Sequence, residues 1–121
     1  MQESGEDYIE SILVLSNEKD VVRSIDVARR LNVSKPSVSR AMDILKDEGY
    51  VTFDEEKHIH LTEKGVEKAS NVYSRHKLLT DFFVKVSSVS REIAEQNACR
   101  VEHIVSEEIV TGIRNWMEQN K

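Results

Sequence analysis

A mainly α fold is expected from three features of the sequence. Only four glycines and one proline occur in 121 residues, apolar positions recur at helical spacing along most of the chain, and that period gives way to alternation in one place. Hydrophobic residues at 39% and charged residues at 32% give a globular balance. This length holds one domain, or one domain with a small appendage. No run of about 18 apolar residues is present to span a membrane. The acidic N-terminus, MQESGEDYIE, lacks the apolar core of a signal peptide. A single cysteine cannot build a disulfide framework and fits a reducing cytoplasm. The formal net charge of -5 argues against indiscriminate nucleic-acid binding and leaves room for a local basic patch.

The elements follow in order. A first helix is expected from about Glu6 to Asn17, with Ile9, Ile12, Leu13 and Leu15 apolar and Ser4-Gly5-Glu6-Asp7 placing acids at its positive end. A short second helix spans Ser24 to Leu31, capped by Ser24, with Val27, Ala28 and Leu31 at helical spacing. Asn32-Val33 turns the chain. Ser34 then caps a third helix that holds Pro36 in its first turn, where a missing N–H costs little. Val38, Met42 and Leu45 line its inner face, and Gly49 is its left-handed cap. Tyr50-Val51-Thr52-Phe53 and His58-Ile59-His60-Leu61 alternate around Asp54-Glu55-Glu56-Lys57, which reads as a two-stranded hairpin. A long helix follows from Thr62 to about Val86, with Val66, Ala69, Tyr73, Leu79 and Phe83 as its apolar stripe. Two more run around Ser90–Val105 and Ser106–Gln119, the last carrying Ile109, Ile113, Trp116 and Met117 on one side.

Helix, short turn, helix and hairpin make the plan of a winged helix-turn-helix, a reader of double-stranded DNA. It is expected over residues 1–65, followed by a helical region over 66–121. Between Val21 and Asp47 six bases (Arg23, Arg29, Arg30, Lys35, Arg40, Lys46) face three acids (Asp26, Asp43, Asp47), a basic module inside an acidic chain. The start of the third helix offers Ser34, Lys35, Pro36, Ser37, Ser39 and Arg40 to the DNA. Arg40 suits a bidentate guanine contact, while Lys35, Ser37 and the wing's Lys57 suit the phosphate backbone. The acidic hairpin tip, Asp54-Glu55-Glu56, would be repelled by phosphate and limits what the wing can add.

A second constellation is Cys99-Arg100-Val101-Glu102-His103, expected on the fifth helix, where offsets of three and four residues place Cys99 beside Glu102 and His103. Thiolate, carboxylate and imidazole together suit a first-row transition ion. Asp7 and Glu10, three apart on the first helix, share a face, and His76 lies in line with the apolar stripe of the long helix, where an imidazole needs a reason. Each alone has an ordinary structural use: helix dipole, hydrogen-bonded core histidine, small buried thiol. Together they lie on three helices able to converge.

Glu6-Asp7-Tyr8-Ile9-Glu10, Val33-Ser34-Lys35-Pro36-Ser37-Val38-Ser39, Leu61-Thr62-Glu63-Lys64-Gly65, Arg75-His76-Lys77-Leu78-Leu79 and Ala98-Cys99-Arg100-Val101-Glu102-His103 make the chain resemble the diphtheria toxin repressor family. The resemblance covers essentially the whole chain and is to the short manganese-transport-regulator branch in particular. It implies a homodimeric, metal-activated DNA-binding regulator of transcription, a repressor of metal-uptake genes, with 66–121 as the helical dimerisation and metal-binding region and with Fe(II) or Mn(II) as cofactor, one ion or two per chain. It also implies ligand positions at Asp7, Glu10, His76, Glu102 and His103. Cys99 departs from the manganese branch, which resembles a carboxylate there, and matches the iron-responsive branch. Glu95 falls where that branch has an ancillary-site histidine. The iron branch resembles a longer protein with an SH3-like domain, which a chain ending at Lys121 is too short to hold. Neither a membrane partner nor an organic cofactor is expected. The competing reading is a winged-helix regulator that senses an organic ligand or thiol oxidation through Cys99. An enzyme is not expected, because no nucleophile–base pair or phosphate loop appears.

Overall fold

A computed structural model describes residues 3–121 and contains six helices and one hairpin: α1 (Glu3–Glu18), α2 (Ser24–Leu31), α3 (Lys35–Asp47), β1 (Val51–Phe53), β2 (Ile59–Leu61), α4 (Glu63–Ser87), α5 (Arg91–Val101) and α6 (Glu107–Gln119). The mainly α expectation holds. The chain divides into two compact units, one ending at Ser70 and one running from Asn71 to Lys121, so that α4 contributes to both. Among the described residues no helix is long and apolar enough to cross a membrane.

The first unit is built around Ile9, Ile12 and Leu15 of α1, Val27 and Ala28 of α2, Val38, Met42 and Leu45 of α3, Val51 and Ile59 of the hairpin, and Ala69 of α4. Burying one of the larger of these side chains stabilises the fold by about 1.5–3 kcal/mol. α1 is already helical at Glu3, three residues before the expected start. α2 begins as expected at Ser24, but the cap position is Arg23, not Ser24. The reason lies one turn on, where Asp26 Oδ2 accepts the Arg23 backbone N–H at 2.9 Å and Oδ1 accepts Lys19 Nζ at 2.7 Å. Those bonds, Lys19 foremost, hold the Asp26 carboxyl below the usual carboxylate range. Asn32 then takes a left-handed conformation, φ 55°, which turns the chain toward α3. Ser34 caps α3 by accepting the Ser37 N–H at 3.2 Å, and Pro36 sits in the first turn. Gly49, at φ 85°, carries the chain out of α3, as the sequence implies.

The hairpin is antiparallel, with Val51 opposite Leu61, Thr52 opposite His60 and Phe53 opposite Ile59. Tyr50 and His58, expected in the strands, lie just outside them. The Ile59 N–H reaches Val22 O at 2.8 Å and pins the hairpin to the segment before α2. Thr62 caps α4, accepting the Gly65 N–H at 3.0 Å while its hydroxyl donates to Gly49 O at 2.6 Å. Lys64 donates to Glu48 O at 2.7 Å and lies 4.3 Å from the centroid of the Tyr50 ring. A Cβ on Gly65 would run into the Tyr50 carbonyl, so only glycine lets α4 approach the end of α3 this closely. The buried stripe of α4 differs from the expected one. Ala69, Val72 and Leu79 are buried, whereas Val66 and Tyr73 are exposed.

In the second unit Ser90 and Ser106 cap α5 and α6, accepting from Ile93 and Ile109. Phe82 meets Trp116 edge-on at 5.6 Å. α5 is shorter than the sequence implies. The regular helix ends at Val101, Glu102 occupies the C-cap, and the chain leaves through a turn in which the Ile104 and Val105 N–H groups both bond to Val101 O. The carbonyls of Glu102 and Val105, which a longer helix would bond internally, accept instead from Arg75 of α4 at 2.8 and 2.9 Å. Helix competes here with a side chain 27 residues upstream, which no local pattern reveals.

Candidate metal centre and nucleic-acid interface

In the first unit, Lys35, Pro36, Ser39 and Arg40 are exposed over the first two turns of α3, with Arg29 and Arg30 exposed at the end of α2. Ser34 and Ser37 have a structural task. Their hydroxyls lie 2.8 Å apart, Ser34 caps the helix, and Arg40 Nη2 lies 3.4 Å from Ser37 Oγ. The serines thereby fix the helix mouth and lean Arg40 along its surface. The chemistry is that of a recognition helix, cations and short donors on a rigid cylinder.

The wing's acidic tip is ordered by one of its own acids. Asp54 folds inward on its own turn: Oδ1 accepts the N–H groups of Glu56 and His58, both at 2.9 Å, and Oδ2 lies 2.9 Å from His60 Nε2 and 3.2 Å from His58 Nδ1. The His60 bond above all, with the His58 N–H next, brings the Asp54 carboxyl down to about 2. Lys57 donates its N–H to Asp54 O at 3.0 Å and takes a left-handed φ of 65°, the residue that lets a short hairpin loop close. Its side chain stands exposed at the tip.

In the second unit, His76 on α4 and the α5–α6 turn meet. His76 Nδ1 is 2.8 Å from Glu102 Oε2, and His103 Nε2 is 3.4 Å from Glu102 Oε1, too poorly directed for a hydrogen bond. The Glu102 and His103 side chains are 0% and 1% exposed, and Glu102 Oε1 is buried with no hydrogen-bond partner. A carboxylate taken out of water with one oxygen unbonded is costly unless a cation completes it. Two imidazoles around such a carboxylate form a donor set that suits a divalent first-row ion. His76 thus has the reason that its place on α4 demanded. Asp7 and Glu10 lie in the first unit, half-buried on one face of α1, with Glu10 Oε2 shielded from solvent. Cys99 is exposed on α5. Because α5 ends at Val101, the helical spacing expected to hold Cys99 beside Glu102 and His103 stops before reaching His103. Glu95 is half-exposed and lies 3.7 Å from Arg91, which also holds Asp81 at 3.0 Å.

Comparison with known proteins agrees with both halves of this description. Residues 1–59 match the family model of the iron dependent repressor N-terminal DNA binding domain, and residues 62–121 match that of the iron dependent repressor metal binding and dimerisation domain. The chain belongs to the iron-dependent repressor family. An uncharacterised HTH-type transcriptional regulator of Methanocaldococcus jannaschii is 32% identical over 100% of this chain and 98% of its own length. The transcriptional regulator MntR of Escherichia coli O6:H1 is 33% identical over 95% of this chain and 74% of its own. Among solved structures, the manganese regulator SloR superposes with a TM-score of 0.85 at 28% identity, over 94% of this chain and 53% of that one. The chain therefore spans about half the length of that structure.

For an iron-dependent repressor, α3 and the wing belong to the DNA-binding domain, and His76, Glu102 and His103 to the metal-binding one. Two residues escaped the sequence reading. Arg75 enters it only as part of a motif, and its role depends on where a distant turn falls. The charge of Asp54 by itself reads as repulsion, although an Asp placed before a turn and followed by alternating histidines is a local signal for the bonds it makes.

Proposed function

We propose that this chain is a cytoplasmic, homodimeric repressor that binds operator DNA when Fe(II) or Mn(II) is bound, and that it performs no catalytic step. The observation that carries the metal half is the buried Glu102, bonded to His76 and left with an unbonded Oε1 beside His103. His76, Glu102 and His103 would hold the ion within the second unit. Glu95, already against Arg91, is left out of this set. A bound divalent ion would supply positive charge beside the buried Glu102 carboxylate. Metal binding then meets ordering entropy before DNA arrives. Arg40 reads a guanine edge, Lys35, Ser39 and Lys57 contact phosphates, and Ser34, Pro36 and Ser37 shape the start of the helix.

Dimerisation is supported by an apolar groove of about 450 Å³ lined by Phe82, Val86, Ile109, Ile113 and Trp116 on the second unit. Val86, Ile109 and Trp116 are exposed there, more apolar surface than a lone unit leaves in water without a use. A dimer joined there carries two recognition helices, as a pair of half-sites about one DNA turn apart requires.

Anaerobic titration calorimetry of the chelator-stripped protein with Fe(II), then Mn(II), in parallel with Cys99→Ala, tests this reading. Tight binding of either ion is expected. If Cys99→Ala shifts preference toward Mn(II), the thiolate counts as a ligand and the sensor is for iron. If both proteins bind Mn(II) alike, the carboxylate and imidazole set decides. The exposure of Cys99 favours one other reading, a sensor of thiol oxidation. Binding of neither ion, together with DNA affinity that changes on oxidation in the wild type and not in Cys99→Ala, would establish that reading instead.

A further inference from the structure

Arg75 and His76 are consecutive on α4, and both grip Glu102. His76 Nδ1 meets the carboxylate at 2.8 Å, while Arg75 Nη1 donates to the Glu102 backbone carbonyl at 2.8 Å. Arg75 Nη2 donates to Val105 O and to Glu107 Oε1, both at 2.9 Å. One planar guanidinium thus spans the whole α5–α6 turn, satisfying two carbonyls that the end of α5 leaves without helical partners. The Arg75 side chain is only 18% exposed, so water competes little for these bonds. Glu107 is 76% exposed and adds the outermost of the three arms.

We propose that Arg75 is a positioning residue of the metal centre. By fixing the backbone of the turn from Glu102 to Glu107, it aims Glu102 Oε1 and His103 Nε2 into one small volume, while His76 sets the other carboxylate oxygen. This rests on the metal reading above. A lysine carries the charge but offers its three donors from a single nitrogen and cannot span acceptors reached from Nη1 and Nη2, so Arg75→Lys keeps the electrostatics and loses the geometry.

The test uses the full chain, stripped of metal and titrated with Co(II) alone, read by affinity and by the visible absorption of the bound ion. Arg75→Ala is expected to weaken Co(II) binding by about 10–100-fold, the usual cost of losing a partner that orients a ligand. Arg75→Lys is expected to fall between, with a band that differs from wild type in position or intensity at saturation. Glu107→Ala, which leaves both carbonyl bonds, should cost less than about threefold; a loss equal to that of Arg75→Ala would overturn the carbonyl assignment. In the metal-free protein, amide exchange at residues 103–107 should quicken in both Arg75 variants. Circular dichroism checks folding, and if Arg75→Ala does not fold, Arg75→Lys decides. Wild-type affinity, an unchanged band and unchanged exchange in the folded variants would overturn the role of Arg75 and leave the metal reading standing. Failure of the wild type itself to bind Co(II) would overturn both.

Discussion

Glu102 shows how a single residue trades stability for function. Its side chain is fully buried, one oxygen is bonded to His76, and the other has no hydrogen bond. A buried acceptor left unbonded costs about 1–3 kcal/mol, a burden that the folded chain carries before any ion arrives. Glu102→Gln keeps the shape and removes the charge. It is expected to raise the metal-free stability by about 1 kcal/mol and to weaken Mn(II) binding by about 100-fold or more. Denaturant unfolding with chelator present, beside a metal titration, checks both; a metal-free protein made less stable by the substitution would contradict the account.

At the scale of an element, the wing is organised by Asp54. Its carboxyl sits at about 2 in the folded hairpin, against an ordinary 3.8. Because the folded value is the lower one, its contribution to wing order is complete above about pH 4 and is lost as pH falls toward 2. The amide resonances of Glu56 and His58, which donate to Asp54, should therefore titrate with a midpoint near 2, and Asp54→Asn should abolish that step. A midpoint at the ordinary carboxylate value would show that the bonds to Asp54 are not held in solution. Lys57 at the tip separates two effects. Its left-handed backbone disfavours any side chain by about 1 kcal/mol, so Lys57→Gly should leave the fold slightly more stable, by roughly 0.5 kcal/mol once the freedom of glycine in the unfolded chain is counted. DNA affinity should nevertheless fall, and the slope of log affinity against log salt should shrink by about one. Unchanged salt dependence would mean that the wing does not touch phosphate.

For the whole molecule, the test is reciprocity. If metal orders the arrangement that DNA selects, DNA must raise metal affinity by the factor by which metal raises DNA affinity. Mn(II) titrations with and without a duplex carrying the operator should differ by that common factor, on the order of 5–150-fold for a typical coupling of 1–3 kcal/mol. Equal metal affinities in the two titrations would remove the coupling, whatever the affinity for DNA alone. A chain with net charge -5 makes this a sharp measurement, since charge alone opposes binding away from the basic module.

Much of this was legible in residue order. Ser34-Lys35-Pro36 marks the mouth of α3, Gly49 its end, and Thr62 the start of α4, because caps and left-handed turns depend on residues three or four apart. The basic stretch from Arg23 to Lys46 and the cluster of metal-ligand types at Glu102, His103 and His76 could likewise be named from composition and spacing. Tertiary structure decided where α5 stops, and so which side chains share a buried volume. Extended helical periodicity would have carried Cys99, Glu102 and His103 along one face. Arg75 instead takes the carbonyls that would have continued the helix, turning Glu102 and His103 inward while Cys99 stays exposed. Local propensity separates such outcomes by less than about 1 kcal/mol per residue. Three charge-assisted bonds from a side chain distant in sequence outweigh it.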